Sequence, residues 1–330
     1  MPPKILVISG PTASGKTRLA VELALRHGGE VVSADSMQVY RRMDIGTAKP
    51  TPEEMRGIPH HMLDVADPEE DFSVARYVEL AAPCVDDILA RGKLPIVAGG
   101  TGLYLDSLLS GRTFAPFSPD GGLRARLEAR FDALGGEAML GELEERYDRL
   151  GGAAMLAELG GADPDSAARL HPNDKKRIVR ALEVFQQTGK TISQHNRETR
   201  ALPLRYDALT LSLAFQRRED MWARIDRRVD EMMAAGLAEE VRALLDSGVP
   251  VRCTAMQAIG YKEMAAALRG GGDVCAAAEE IKLRSRQYAK RQLTWFRRTE
   301  GAKWLFWGPE PDFEAACRTS TKYLEEFGLV

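Results

Sequence analysis

The chain has 330 residues, 44% of them hydrophobic and 28% charged, with a formal net charge of −3. That suffices for one large or two modest soluble domains, and the balance carries no global basic signal, so any nucleic-acid site must be a local patch. The four cysteines, Cys84, Cys253, Cys275 and Cys317, stand far apart without metal-ligand spacing, which argues against a disulfide framework or a zinc site and predicts a reducing compartment.

In chain order, Lys4–Ser9 reads as a strand and residues 16–26 as a helix. Between them lies GPTASGKT, residues 10–17, which fits G-x-x-x-x-G-K-[ST], a nucleotide-binding loop, in full. The backbone of Gly10, Thr12, Ala13, Ser14 and Gly15 is expected to wrap a diphosphate. Lys16 adds a point charge, and the Thr17 hydroxyl suits Mg²⁺. The strand begins so early that no signal peptide fits before it, and no apolar run reaches the ~20 residues of a membrane span. A cytoplasmic protein without a membrane partner is expected.

A second strand, Gly29–Ser33, runs into Ala34-Asp35-Ser36-Met37-Gln38. Asp35 at a strand end suits a water-bridged metal, a general base, or a plain helix cap. Gln38 offers a donor and an acceptor, fitting a base edge or a turn. His60 and His61, adjacent and so pointing apart, read as structural. Residues 74–91 form a helix and residues 94–98 a third strand ending in Gly99-Gly100-Thr101-Gly102. Many phosphate-loop NTPases place a metal-binding Asp there. Glycine in its place disfavours an ATPase or GTPase motor and leaves a small-molecule kinase open. Strands alternating with helices predict a parallel α/β sheet, with all three strand-end loops meeting in one crevice.

Residues 115–122 are loop-like, and residues 123–170 turn rich in Ala, Leu, Glu and Arg without strand pattern. This predicts a helical insertion. It holds two copies of a twelve-residue segment, DALGGEAMLGEL and DRLGGAAMLAEL, sixteen residues apart and agreeing at nine positions. Two copies suit a local duplication, too few for a solenoid. The expected organisation is a catalytic core of residues 1–119 and 171–330 around an insertion of residues 120–170.

Residues 173–187 read as a helix with a basic cluster, Lys175, Lys176, Arg177 and Arg180. Residues 208–215 read as a strand, and residues 218–245 as a long helix broken near Gly236, with Arg224 in a second basic cluster. Residues 279–298 form another helix. From Ile281 to Arg298 it carries seven basic residues and no acidic one, with Arg284, Arg291 and Arg298 seven apart beside Tyr288 and Trp295. In an acidic chain this stripe is a candidate phosphate-backbone patch, the alternative being an ordinary solvated helix. A short strand and a final helix close the chain.

Together these segments resemble the tRNA dimethylallyltransferases. GPTASGKT, SADSMQVYRRMDIGTAKP, GIPHHMLDV, AGGTGLY, HPNDKKRIVRALEV, AIGYKE and YAKRQLTWFRR occur in the family's order over nearly the whole chain. The resemblance implies a P-loop NTPase-like sheet with a helical insertion. It implies transfer of a dimethylallyl group from dimethylallyl diphosphate to adenine N6, beside the anticodon of tRNAs reading codons that begin with U. The loop would then hold a departing diphosphate with Mg²⁺. By the same resemblance Asp35 takes the amine proton and Arg224 grips the diphosphate from the opposite side. Thr101 bonds near the target base. Asp35, Ser36, Met37 and Gln38 read a flipped adenine. Arg124, the segment Lys176, Arg177, Ile178, Val179 and Arg180, and Arg291 contact tRNA. A monomer is expected. The second copy of the repeat, Lys176 and Arg286-Gln287 depart from the family's usual pattern. Two other classes stay open on residues alone, a kinase using ATP at residues 10–17 and a non-catalytic tRNA-binding protein.

Overall fold

The computed structural model describes residues 2–111, 136–200 and 203–330. Two compact units emerge: Met1–Gly111 with Leu204–Val330, and Arg112–Pro203. The first unit opens with β1 (Lys4–Ser9), α1 (Lys16–His27), β2 (Gly29–Ser33), α2 (Pro52–Met55), β3 (His60–His61), α3 (Val74–Ala90), β4 (Leu94–Gly99) and α4 (Gly102–Leu109). The second unit holds α5 (Gly136–Leu150), α6 (Gly152–Ala162), α7 (Pro164–Ala167), α8 (Lys175–Thr188) and α9 (Ile192–Arg200). The first unit resumes with β5 (Asp207–Phe215), α10 (Arg218–Ala234), α11 (Leu237–Asp246), α12 (Tyr261–Gly270), α13 (Val274–Phe296), β6 (Lys303–Trp307) and α14 (Phe313–Phe327).

The six strands form one parallel sheet, ordered β3-β2-β4-β1-β5-β6. The near-continuous apolar runs have a direct cause: β1, β2 and β4 bury both faces under helices. Leu6, Ile8, Ile96 and Leu211 pack with Leu19 and Leu23 of α1 in one core. Register then places the site. Ser9 lies level with Gly99 and Ser212, and Ser33 with Ala98, so β1, β2 and β4 end at one height while β5 runs on to Phe215. The three strand-end loops leave the sheet together there, as expected for this α/β class.

The edge strand β3 has only the two histidines. His61 Nε2 meets Glu30 Oε2 at 2.8 Å, and His60 Nδ1 meets the Ile58 carbonyl at 2.9 Å. Their role is structural, ending the sheet in a short, charged edge that resists further pairing.

In the second unit, Leu143 of α5, Met155 and Leu159 of α6, and Ile178, Val179 and Leu182 of α8 form a separate core. Residues 175–200 therefore belong with this unit, so its downstream limit lies near Pro203 rather than at residue 170. The upstream limit falls outside the described residues. The two repeat copies each lead into a helix, at Gly136 and Gly152.

Helix α13 starts at Val274, five residues before the predicted residue 279, because Asp273 caps it by accepting the Cys275 N–H at 2.7 Å. The break predicted near Gly236 is real: this glycine adopts φ 101° between α10 and α11. Among the described residues, no helix is long and apolar enough to cross a membrane.

Candidate active site

The phosphate loop turns into α1 at Gly15, whose φ of 82° lies in the left-handed region that favours glycine. The loop is braced from three directions. Trp307 Nε1 donates to the Ser14 carbonyl at 2.8 Å from β6. Arg224 Nε donates to the Ala13 carbonyl at 3.3 Å from α10. Gln292 Oε1 accepts the Thr12 N–H at 2.9 Å from α13. With its outer atoms thus tied, the loop keeps its remaining amides free for an anion.

The cleft beside it measures about 940 Å³ and is lined by the loop, Asp35, Arg224, Arg228, Tyr288 and Gln292, among others. Lys16 folds back onto its own loop, donating to the Pro11 carbonyl at 2.7 Å. Burial, then the nearby Arg228 charge, depress its pKa from 10.5 to about 8, against a smaller upward pull from Asp35. Burial also holds Arg228 below its ordinary range. Lys16, Arg224 and Arg228 thus gather in one cleft with no ion pair among the described residues, a setting suited to an anion.

Asp35 leaves β2 in a turn of its own making, its Oδ1 accepting the N–H groups of Met37 at 2.9 Å and Gln38 at 3.4 Å. This fixes the carboxylate and caps the turn at once. Thr101 Oγ1 accepts the Ser36 N–H at 3.1 Å, and the Thr101 N–H donates to the Ala34 carbonyl at 3.1 Å. The structure therefore places Asp35 beside the hydrogen-bonded pair of Ser36 and Thr101 at the sheet's carboxyl edge. Gln38 is otherwise occupied. Its Oε1 accepts from Ser33 at 3.1 Å, and its Nε2 donates to the Thr47 and Ala48 carbonyls at 3.3 and 3.1 Å. Here the amide serves the turn rather than a base edge.

The glycines after β4 find their reason here. A Cβ on Gly100 would collide with Gln292 Nε2, and one on Gly102 with the Trp295 ring. The close approach they permit is that of α13 side chains.

Thr17 lines the same cleft, and among the described residues no hydrogen bond engages its hydroxyl. A hydroxyl is a hard oxygen donor of the kind Mg²⁺ prefers, so Thr17, placed beside a diphosphate cradle, fits that ion.

The other predicted contacts divide. Lys176, Arg177 and Arg180 are exposed on α8, Arg180 paired with Glu183 at 2.8 Å. Ile178 and Val179 are not surface contacts: at 0% and 2% exposure their side chains fill the core of the helical unit. The helical period sends residues two apart to opposite faces. Arg124 lies outside the described residues. On α13, Lys282 pairs with Asp230, Arg284 with Glu280 and Arg286 with Asp226. Lys290, Arg291, Arg297 and Arg298 make no ion pair among the described residues and are exposed. The basic stripe is thus electrostatically open only at its C-terminal end, where Arg291 also stacks over Tyr288, 5.7 Å from the ring centroid.

Sequence reasoning overlooked Gln292, Arg228 and Trp307. Arg228 lies one helical turn after Arg224, in the same basic cluster of residues 224–228. Gln292 sat one residue from the favoured Arg291, but a neutral amide in a basic run gives no signal of its own.

Known proteins match this chain over most of its length. A family model described as IPP transferase matches residues 38–299, and one described as isopentenyl transferase matches residues 3–70. A tRNA dimethylallyltransferase of Acetivibrio thermocellus is 43% identical over 325 residues, 98% of each chain. A relative in Trichlorobacter lovleyi, tRNA dimethylallyltransferase 1, is 48% identical over 305 residues, 92% of this chain and 94% of its own. The crystal structure of a tRNA isopentenylpyrophosphate transferase from Bacillus halodurans superposes with a TM-score of 0.70 at 39% identity, covering 98% of this chain and 96% of that one. A eukaryotic dimethylallyltransferase acting on tRNA superposes at 0.75 with 29% identity, over 98% of this chain and 78% of its own.

Proposed function

The chain belongs to the IPP transferase family, and on that premise we propose that its cleft joins the dimethylallyl group of dimethylallyl diphosphate to N6 of the adenosine on the 3′ side of the anticodon, in tRNAs reading codons that begin with U. It is a prenyltransferase that modifies adenosine in tRNA. The observation that carries the finer reading is the pairing of a diphosphate cradle with a carboxylate in one cleft, Lys16 and Arg224 with Asp35.

The chemistry divides between the two walls. The adenine N6 lone pair forms the bond to the allylic carbon while the C–O bond to the diphosphate breaks. Asp35 takes the N6 proton, and such a positioned base contributes about 10²–10⁴-fold. Lys16, Arg224 and the loop amides stabilise the negative charge growing on the leaving oxygen, a preorganised electrostatic role. Thr17 would hold Mg²⁺ together with diphosphate oxygens, and the ion would supply charge neutralisation on the leaving group. Thr101, with Ser36 and Met37, holds the adenine side. Reaching this cleft requires the base to leave its stack, at a modest unstacking cost. Lys176 and Arg177 on the helical unit and Arg291 on α13 supply phosphate contacts to the anticodon arm, whereas Arg180 is held by Glu183. The enzyme acts as a monomer in the cytoplasm.

The test is direct. Protein, Mg²⁺, dimethylallyl diphosphate and an unmodified anticodon stem-loop are incubated, and the RNA is digested and weighed. The adenosine 3′ of the anticodon gains a dimethylallyl group with wild type and not with Asp35→Ala. Full transfer by Asp35→Ala removes the base from the mechanism. Thermal protection by ATP but not by dimethylallyl diphosphate returns the chain to the kinase reading.

A further inference from the structure

Gln292 is 6% exposed and spends both ends of its amide on backbone from two different loops. Its Oε1 accepts the Thr12 N–H of the phosphate loop at 2.9 Å, and its Nε2 donates to the Gly100 carbonyl at 2.9 Å. Thr12 belongs to the cradle of the leaving group. Gly100 adjoins Thr101, which is bonded to Ser36 beside Asp35. The fit is tight, because a Cβ on Gly100 would overlap the amide nitrogen.

We propose that Gln292 is a positioning residue that sets the spacing between the diphosphate cradle and the adenine-activating carboxylate. The inference rests on the transfer reaction proposed above, and Gln292 itself touches neither reacting atom. The polarity of its two bonds makes the choice of side chain specific. One end must accept and the other donate, at a fixed separation. A methionine of similar length leaves a buried N–H and a carbonyl unpaired. A glutamate fits both bonds only while protonated, with its carbonyl oxygen accepting from Thr12 and its O–H donating to Gly100. Tyr288, one turn earlier, lines the cleft on the same face of α13. Burial, then the Asp35 charge, push its phenol up to about 12, against hydrogen bonds to Thr101 and to Gln292 itself. This face of α13 therefore packs as a neutral spacer between the two walls. Near-attack geometry tolerates little error: a misplacement of about 1 Å can cost roughly 10²-fold in rate.

The experiment uses the full chain with dimethylallyl diphosphate, Mg²⁺ and the anticodon stem-loop, with rates divided by the folded fraction from circular dichroism. Gln292→Met should lower kcat by about 10–100-fold while stem-loop affinity, measured by filter binding, stays within about twofold of wild type. Gln292→Glu supplies the reading that a purely structural role would not move. Its rate relative to wild type at each pH should climb about tenfold between about pH 8 and pH 5.5, as the buried carboxyl takes up its proton. A Glu variant whose ratio to wild type is flat across that range overturns the proposal. So does a Met variant with unchanged kcat, or one that loses only stem-loop affinity. Absence of transfer by the wild type would instead remove the underlying reaction, a separate outcome.

Discussion

Glu240 of α11 accepts the Ile45 backbone N–H at 2.8 Å, and the same carboxylate takes the N–H groups of Asp44 and Gly46 at 2.9 and 3.1 Å. Three successive amides thus enclose an anion supplied by the protein itself, and the buried Tyr261 hydroxyl donates to it from α12. The held segment, residues 44–49, forms one wall of the cleft. Its carbonyl side is tied by Gln38, and Lys49 binds Asp44 and Asp64 at 2.5 and 2.6 Å. Replacing Glu240 by Ala frees three amides and loosens this wall. Stability should fall by about 1–3 kcal/mol in urea titrations. The KM for dimethylallyl diphosphate should rise about tenfold, as substrate must reorder the wall. An unchanged KM would show that the wall holds without Glu240.

The elements that carry the motifs were legible in the sequence because their signals are local. The apolar run of β1, the phosphate loop and the Gly236 break each need only neighbours along the chain. The convergence of the phosphate loop, Asp35 and Thr101 followed from the rule that parallel strands present their carboxyl ends together. The braces were not legible. Gln292 meets Thr12 across 280 residues and Trp307 meets Ser14 across 293, and no spacing rule reaches that far. The burial of Ile178 and Val179 was visible as an apolar pair between basic residues, yet the resemblance placed them on tRNA as part of a contiguous segment. Packing against Leu143, Met155 and Leu159 decided their place.

The depressed pKa of Lys16 gives the free enzyme a characteristic pH response. Burial favours the neutral amine in the folded state, so its pKa is about 8 when folded against an ordinary 10.5. Between those values the unfolded chain binds more protons, and stability rises with pH. A bound diphosphate reverses the preference, since the ammonium then has an anionic partner. The thermal shift caused by inorganic diphosphate with Mg²⁺ should therefore shrink as pH rises past about 8. Lys16→Met should remove that dependence; a shift that stays pH-dependent in this variant points to another group.

Glu30 anchors the other side of the sheet. It is 2% exposed, hydrogen-bonded by Arg91 and Lys93, and met by His61. The Arg91 hydrogen bond, opposed by burial and helped by Lys93 and His61, holds its carboxyl far below the ordinary 4.5. A depressed acid stabilises the fold fully above its unfolded pKa and loses that contribution as pH falls below it. Wild type should lose stability on acidification below about 4.5, and Glu30→Gln should lack this component of the slope. At neutral pH that variant should be weaker by about 1–3 kcal/mol, because two cations lose their carboxylate partner. Denaturant titrations at several pH values measure both effects.

The last prediction concerns which cations of α13 face RNA. A stripe of seven basic residues invites the view that all contribute. Arg286 does not fit it, since its guanidinium reaches both oxygens of Asp226 at 2.8 and 2.7 Å. A cation already neutralised by a carboxylate has little capacity to neutralise a phosphate and so to release the counterions condensed on the RNA. Arg291 and Arg298, exposed and without an ion pair among the described residues, keep that capacity. Each phosphate contact contributes about 0.9 to the slope of log affinity against log salt for duplex and about 0.7 for single strands. Arg291→Ala should reduce the slope for an anticodon stem-loop by roughly that amount and weaken binding at low salt. Arg286→Ala should leave the slope unchanged and act on stability instead, because Asp226 loses its partner. Equal slopes for Arg291→Ala and wild type would place the RNA contact elsewhere on the protein.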